Sequence, residues 1–141
     1  MQLDIYTDGS CRGGHGGWAW VSVKNDEYFT SESGRAERTT HQQMEILAVI
    51  KALEYHGKNL QITIYSDSAY VVNCMNDKWY ANWIKNGWMS AKGSQIKNMD
   101  LWERLISLLH DGLKFKHVKA HQFDSSNRTK FNNMADALAK R

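Results

Sequence analysis

Strand-like alternation fills the first third of this chain, and helical spacing then interleaves with single strands. Leu3, Ile5 and Thr7 alternate with Asp4 and Tyr6, which predicts a first strand. Trp18 to Val23, W-A-W-V-S-V, is aromatic and β-branched, and Tyr28-Phe29-Thr30 resumes strand character after an Asn25-Asp26 turn. Gly13, Gly14, Gly16 and Gly17 read as a flexible connection, and two antiparallel hairpin links fit the stretch. Thr40-x-x-Gln43 then matches a capping box ahead of an apolar face of Ile46, Val49, Ile50 and Leu53, with Gly57 as the stop. Ile62 and Ile64 predict a strand ending at Asp67, and Ser68 to Met75 a helix. Leu101, Trp102, Leu105, Ile106 and Leu108 predict a helix stopped at Gly112. Phe115 and Val118 predict a last strand, and Asn132 to Lys140 a last helix.

Three strands, a helix, a strand, helices, a strand and a helix make a mixed α/β sheet with crossover helices. At 141 residues, the chain is expected to be one domain over 1–141, interrupted by irregular insertions at 76–98 and 120–130. That length buries a core without covalent staples. Cys11 and Cys74 lack C-x-x-C spacing, which excludes a cysteine-rich zinc site or a disulfide scaffold. No Pro is present, so tight turns rest on Gly, Asn, Asp and Ser. The net charge of +3 is mildly basic and points only weakly to a polyanionic partner. No apolar run reaches membrane-span length, and M-Q-L-D-I-Y carries no signal-like character. The expectation is a complete, cytoplasmic, monomeric protein with no membrane association.

Four acidic residues stand in distinctive settings. Asp8 lies in T-D-G-S at a strand end, Glu45 in Q-M-E-I in the first turns of a helix, Asp67 in Y-S-D-S at a second strand end, and Asp136 in N-M-A-D-A-L-A-K on the last helix. Two strand ends and two helices can bring four carboxylates together. Without bracketing lysines such a cluster repels itself, and hard cations are what keep it ionised. Oxygen ligands, Mg²⁺ and phosphoryl chemistry belong together. Any one of these residues alone reads more simply as a turn, cap or solvated residue.

The chain resembles the type 1 ribonuclease H family almost end to end. The resemblance is carried by T-D-G-S-C at Asp8, R-T-T-x-x-x-M-E from Arg38 to Glu45, and S-D-S-x-Y-V at Asp67. It continues through W-x-x-N-W-x-x-x-G-W from Trp79 to Trp88, K-N-x-D-L-W from Lys97 to Trp102, V-K-x-H at His121 and N-x-x-A-D at Asp136. Each string is weak alone; together, in the family's order, they are specific. The resemblance implies a ribonuclease H-like fold, a mixed five-stranded sheet of three antiparallel and then parallel strands flanked by helices. It implies endonucleolytic hydrolysis of RNA paired to DNA, leaving 5′-phosphate and 3′-hydroxyl ends.

In that family Asp8, Glu45, Asp67 and Asp136 correspond to the ligands of two Mg²⁺ ions, with Mn²⁺ able to substitute. His121 corresponds to a loop histidine that assists water activation or product departure, and Asn132 to a residue supporting the metal shell. Arg38, Thr40 and Asn98 match a pocket for a DNA phosphate. Cys11, His41 and Gln42 match positions at the minor groove, where the 2′-hydroxyl distinguishes RNA. Residues 78–98 carry Lys78, Lys85, Lys92 and Lys97 among Trp79, Trp83 and Trp88, with no acidic residue, and match a basic protrusion. Trp79 and Lys85 are assigned there to the DNA strand, Trp83 and Trp88 to local structure. The chain departs from the pattern at Gly14, His41, Ala120 and Asn133, in a shorter glycine loop and in a longer loop over 122–131. Two other readings fit less well. R-T-T and W-x-x-N-W argue against a DNA junction resolvase, and the full acid set argues against an inactive binding module.

Overall fold

A computed structural model describes residues 2–119 and 126–141. In chain order the elements are β1 (Gln2–Arg12), β2 (His15–Lys24), β3 (Glu27–Ala36), α1 (His41–His56), β4 (Gln61–Ser66), α2 (Ala69–Asn76), α3 (Trp79–Lys85), α4 (Met99–Ile106), β5 (Leu113–His117) and α5 (Asn127–Ala139). The five strands form one sheet in the order β3-β2-β1-β4-β5. β1, β2 and β3 are joined by short turns and pair antiparallel. β4 follows a helix and pairs parallel to β1, and β5 follows three helices and pairs parallel to β4. Such crossovers are what parallel pairing requires.

The alternation of strand side chains divides the interior into two layers. Leu3, Ile5, Ile62 and Ile64 face α1, which buries Met44, Ile46, Val49, Ile50 and Leu53 against them. Tyr6 and Tyr65 belong to the opposite layer with Val21, Val23, Phe131 and Ala135, and Tyr6 stacks on Tyr65 at 4.7 Å. Ile5 and Ile50 are fully buried. Truncating either to Ala would cost about 2–5 kcal/mol.

Several local boundaries differ from the sequence expectation. Gly16 and Gly17 are not a loose connection but buried positions of β2. A Cβ on Gly17 would overlap the carbonyl oxygen of Ala139, so the absence of a side chain serves close packing against α5. The turn itself falls on Gly13 and Gly14, at φ 57° and 81°, values that favour glycine. α5 begins at Asn127, earlier than Asn132, because Ser126 Oγ accepts the Thr129 N–H at 3.2 Å and caps it there. The 76–98 segment is not wholly irregular, since α3 forms within it.

Candidate active site

The site is built where β1 and β4 end side by side. Their pairing aligns Thr7 with Ser66, so Asp8 and Asp67 follow at the same level. Just beyond, Ser66 Oγ accepts the Ser68 N–H at 3.0 Å, and Ser68 Oγ caps α2 by accepting the Val71 N–H at 3.2 Å. That turn fixes the backbone around Asp67, whose carbonyl faces His117 Nε2 at 3.2 Å.

Glu45 arrives from α1. The helix starts with a reciprocal capping box: Thr40 Oγ1 accepts the Gln43 N–H at 3.1 Å, and Gln43 Oε1 accepts the Thr40 N–H at 3.3 Å. Gly9 permits the approach, because a Cβ there would overlap the Glu45 backbone nitrogen and lie 2.5 Å from the Met44 carbonyl carbon. The Gly9 N–H donates to Glu45 Oε1 at 2.6 Å and to Asp8 Oδ1 at 3.0 Å. His41 Nε2 lies 3.0 Å from the Gly9 carbonyl oxygen and 3.6 Å from Glu45 Oε1.

Asp8, Glu45 and Asp67 thus offer oxygen atoms all within 4.8 Å of one another. Asp8 and Glu45 are each 3% exposed. Asp136, half-buried on α5, lines the same cleft with Ser10, Cys11, His41 and Lys140. Lys140 Nζ donates to Asp136 Oδ2 at 3.1 Å. The lysine sits one helical turn from the acid, a pairing that sequence reasoning missed although the i,i+4 spacing could have signalled it.

Burial first, and then repulsion from Glu45 and Asp67, raises the Asp8 carboxyl far above the ordinary carboxylate range. Burial also raises Glu45, although the hydrogen bonds from Asp8 and Gly9 pull it down. Glu45 Oε2 is buried and has no hydrogen-bond partner among the described residues. Carboxyls that burial and mutual repulsion push toward their neutral form, with one buried oxygen lacking a partner among the described residues, fit a hard divalent cation that would favour the ionised form. Asn132 is 2% exposed, and its Oδ1 is likewise buried without a hydrogen-bond partner among the described residues.

A second cleft of about 690 Å³ opens on the other side of the α1 N-terminus, lined by Arg38, Gln43, Lys97 and Asn98 among others. Arg38 and Asn98 both adopt left-handed backbone, at φ 53° and 63°. The hydroxyl of the exposed Thr40 accepts in the cap and keeps its own proton to donate. Cys11 and Gln42 are half-buried, and Cys11 Sγ donates to the Thr39 carbonyl at 3.4 Å. Trp83 lies 5.9 Å from Trp88 and 5.7 Å from Trp102, whose indole N–H donates to the Tyr70 hydroxyl at 3.2 Å. Trp79 packs on Tyr70 at 6.3 Å and is only half-buried, while Lys85, Lys92 and Lys97 are exposed. His121 lies outside the described residues.

The RNase H family model matches residues 1–141. A ribonuclease H of Caldicellulosiruptor saccharolyticus is 37% identical over 99% of this chain and 94% of its own length. One of Chlorobaculum parvum is 40% identical over 98% of this chain and 92% of its own. Among solved structures, a foamy viral protease–reverse transcriptase in complex with RNA/DNA hybrid superimposes with a TM-score of 0.81 at 24% identity. It covers 98% of this chain and 19% of that one, a likeness of fold. Among the described residues no helix is long and apolar enough to cross a membrane.

Proposed function

This chain belongs to the ribonuclease H family, and from that premise we propose that it is a metal-dependent endoribonuclease that hydrolyses the RNA strand of RNA/DNA hybrids. The observation that carries the reading is the acid triad of buried Asp8 and Glu45 with half-buried Asp67, and Glu45 Oε2 unpaired among the described residues. Asp8, Glu45, Asp67 and Asp136 would hold two Mg²⁺ ions, for which Mn²⁺ could substitute. Ions held there would supply Lewis-acid activation of a water and charge neutralisation at the departing 3′ oxygen, chemistry that would leave 5′-phosphate and 3′-hydroxyl ends.

The chain's own groups supply the rest. The Gly9 N–H holds Glu45 at a fixed distance from Asp8, so the acids are preorganised rather than gathered by substrate. His121 carries a proton to or from the reacting groups, as an imidazole can near neutrality. Asn132 orients the acid shell from α5. Arg38, Thr40 and Asn98 bind a phosphate of the DNA strand, fixing register without reading sequence. Cys11, His41 and Gln42 border the minor groove, where a 2′-hydroxyl marks the RNA strand. Trp79 and Lys85 hold the DNA strand by packing and charge.

The test is cleavage of an end-labelled hybrid beside duplex DNA and duplex RNA, with Mg²⁺ and with chelator, followed by end-group analysis. Cutting confined to the RNA of the hybrid, lost on chelation, is expected. Cutting of duplex DNA, or cutting that survives chelation, overturns the reading.

A further inference from the structure

Gln43 does more than close a helix cap. Its Oε1 accepts from the Thr39 hydroxyl at 2.9 Å and from the Thr40 N–H at 3.3 Å. With two donors aimed at that oxygen, the amide has one orientation, and Nε2 must face away from the cap. Nε2 donates to Asn98 Oδ1 at 3.2 Å, across 55 residues of chain. Asn98 is thereby fixed in turn: its oxygen is spent on Gln43, and its Nδ2 is left buried without a hydrogen-bond partner among the described residues. Gln43 and Asn98 both line the cleft that holds Arg38 and Lys97.

A buried amide donor left unpaired costs free energy, and this one belongs to a cleft lined by Arg38 and Lys97, where an anion would complete it. We propose that Gln43 is a positioning residue for DNA-strand binding: it sets the polarity of the Asn98 amide so that a donor, not an acceptor, meets a phosphate oxygen. Reversed, the same amide would present its carbonyl oxygen to an anion. The inference rests on the phosphate reading of this cleft and adds the residue that gives the cleft its sign. It also ties binding to the fold, since the donors that orient Gln43 belong to the start of the same helix that carries Glu45.

The experiment is a steady-state double-mutant cycle on a labelled hybrid with Gln43→Glu, Asn98→Ala and the pair, with melting temperatures measured alongside. Glutamate at the third helical position keeps the capping box but has no hydrogen to donate. Asn98→Ala should raise KM about tenfold, the scale of removing one hydrogen bond to a charged group. Gln43→Glu should raise KM by as much or more with its melting temperature held, and should add at most about twofold in the Asn98→Ala background. The effect should fall on KM rather than kcat, because a positioned phosphate contact serves ground and transition states alike. If Gln43→Glu raises KM equally with and without Asn98, its effect is plain charge repulsion and the positioning role is wrong. If Asn98→Ala raises KM and Gln43→Glu does not, the positioning role is wrong while the phosphate reading stands. If Asn98→Ala leaves KM unchanged, the phosphate reading itself fails. A neutral variant, Gln43→Met, checks the sign: a KM rise that also vanishes in the Asn98→Ala background supports the role, and an unchanged KM overturns it.

Discussion

The amide of Gly9 donates to Glu45 Oε1 across 2.6 Å, and the missing side chain of Gly9 is what lets α1 come that close. One residue thus supplies both a hydrogen bond and a vacancy to the acid triad. Gly9→Ala should force α1 off β1 by the overlap with the Glu45 backbone nitrogen. Overpacking of this kind costs about 1–3 kcal/mol, and Glu45 should be displaced from its place beside Asp8. Urea unfolding and hybrid cleavage, measured on one preparation, should fall together. Parent-like values of both would remove Gly9 from the construction of the site.

Asp8→Asn should reduce hybrid cleavage by about 10³-fold or more, at least about 4 kcal/mol of transition-state stabilisation, while hybrid binding is retained. The amide keeps the shape of the acid and removes the charge that holds cations. It also removes a buried carboxyl that resists ionisation, so the chelated variant should melt above the chelated parent at pH 8. Turnover within a few-fold of the parent at saturating Mg²⁺ would show that Asp8 is dispensable.

The raised Asp8 and Glu45 carboxyls also set a pH dependence. In the unfolded chain both titrate at about 4, whereas the folded chain holds its protons to higher pH. Their contribution to stability is therefore full below about pH 4 and is lost as pH rises toward neutrality and beyond. Mg²⁺ should offset that loss by binding the ionised acids. The melting-temperature gain from adding Mg²⁺ to chelated protein should be several degrees larger at pH 8 than at pH 5. Equal gains at both would mean that the triad does not bind the ion.

His56 runs the other way. Burial lowers its pKa; Nδ1 lies 2.7 Å from the Ala52 carbonyl oxygen, to which it donates, and Nε2 faces the Ser22 hydroxyl at 2.8 Å. A neutral ring satisfies both partners, so stability present above about pH 6.5 should decline as pH falls below it. His56→Gln should flatten the slope of melting temperature between pH 5 and 7 with Mg²⁺ present or chelated. A slope that survives the substitution would assign the acid sensitivity elsewhere.

Replacing Lys85, Lys92 and Lys97 together should raise KM for the hybrid with kcat nearly constant. For every phosphate these lysines neutralise, the salt slope of log K should become shallower by up to roughly 0.9, the duplex DNA value. An unchanged KM and salt dependence would make the segment a solvated loop, and new cutting of duplex DNA would move strand discrimination into it.

The succession of strands and α1 along the chain is legible in the sequence because period-two and helical spacing are local properties of Leu3, Ile5, Ile46, Val49 and Ile50. Asp8, Glu45, Asp67 and Asp136 are legible because each stands in a distinctive short string. Gly16 and Gly17 mislead, since in sequence a glycine that admits a neighbouring chain looks the same as one that bends. Only the approach of Ala139 to Gly17 tells them apart. The reach of Gly9 to Glu45 over 36 residues and of Gln43 to Asn98 over 55 leaves no local signature. Lys140 stands one turn from Asp136, but a lysine near a helix end is ordinary and draws no notice.

The level pairing of Thr7 with Ser66 divides the chain into stretches of very different tolerance to inserted or deleted residues. One residue more or fewer inside β4 would swap its inward and outward side chains and carry Asp67 out of step with Asp8. The segment between α3 and α4 makes no ladder with the five-stranded sheet, so residues can be added there while the acids stay in step. Length variation in descendants of this sequence is therefore expected to accumulate over 86–97 and to be purged from 61–67.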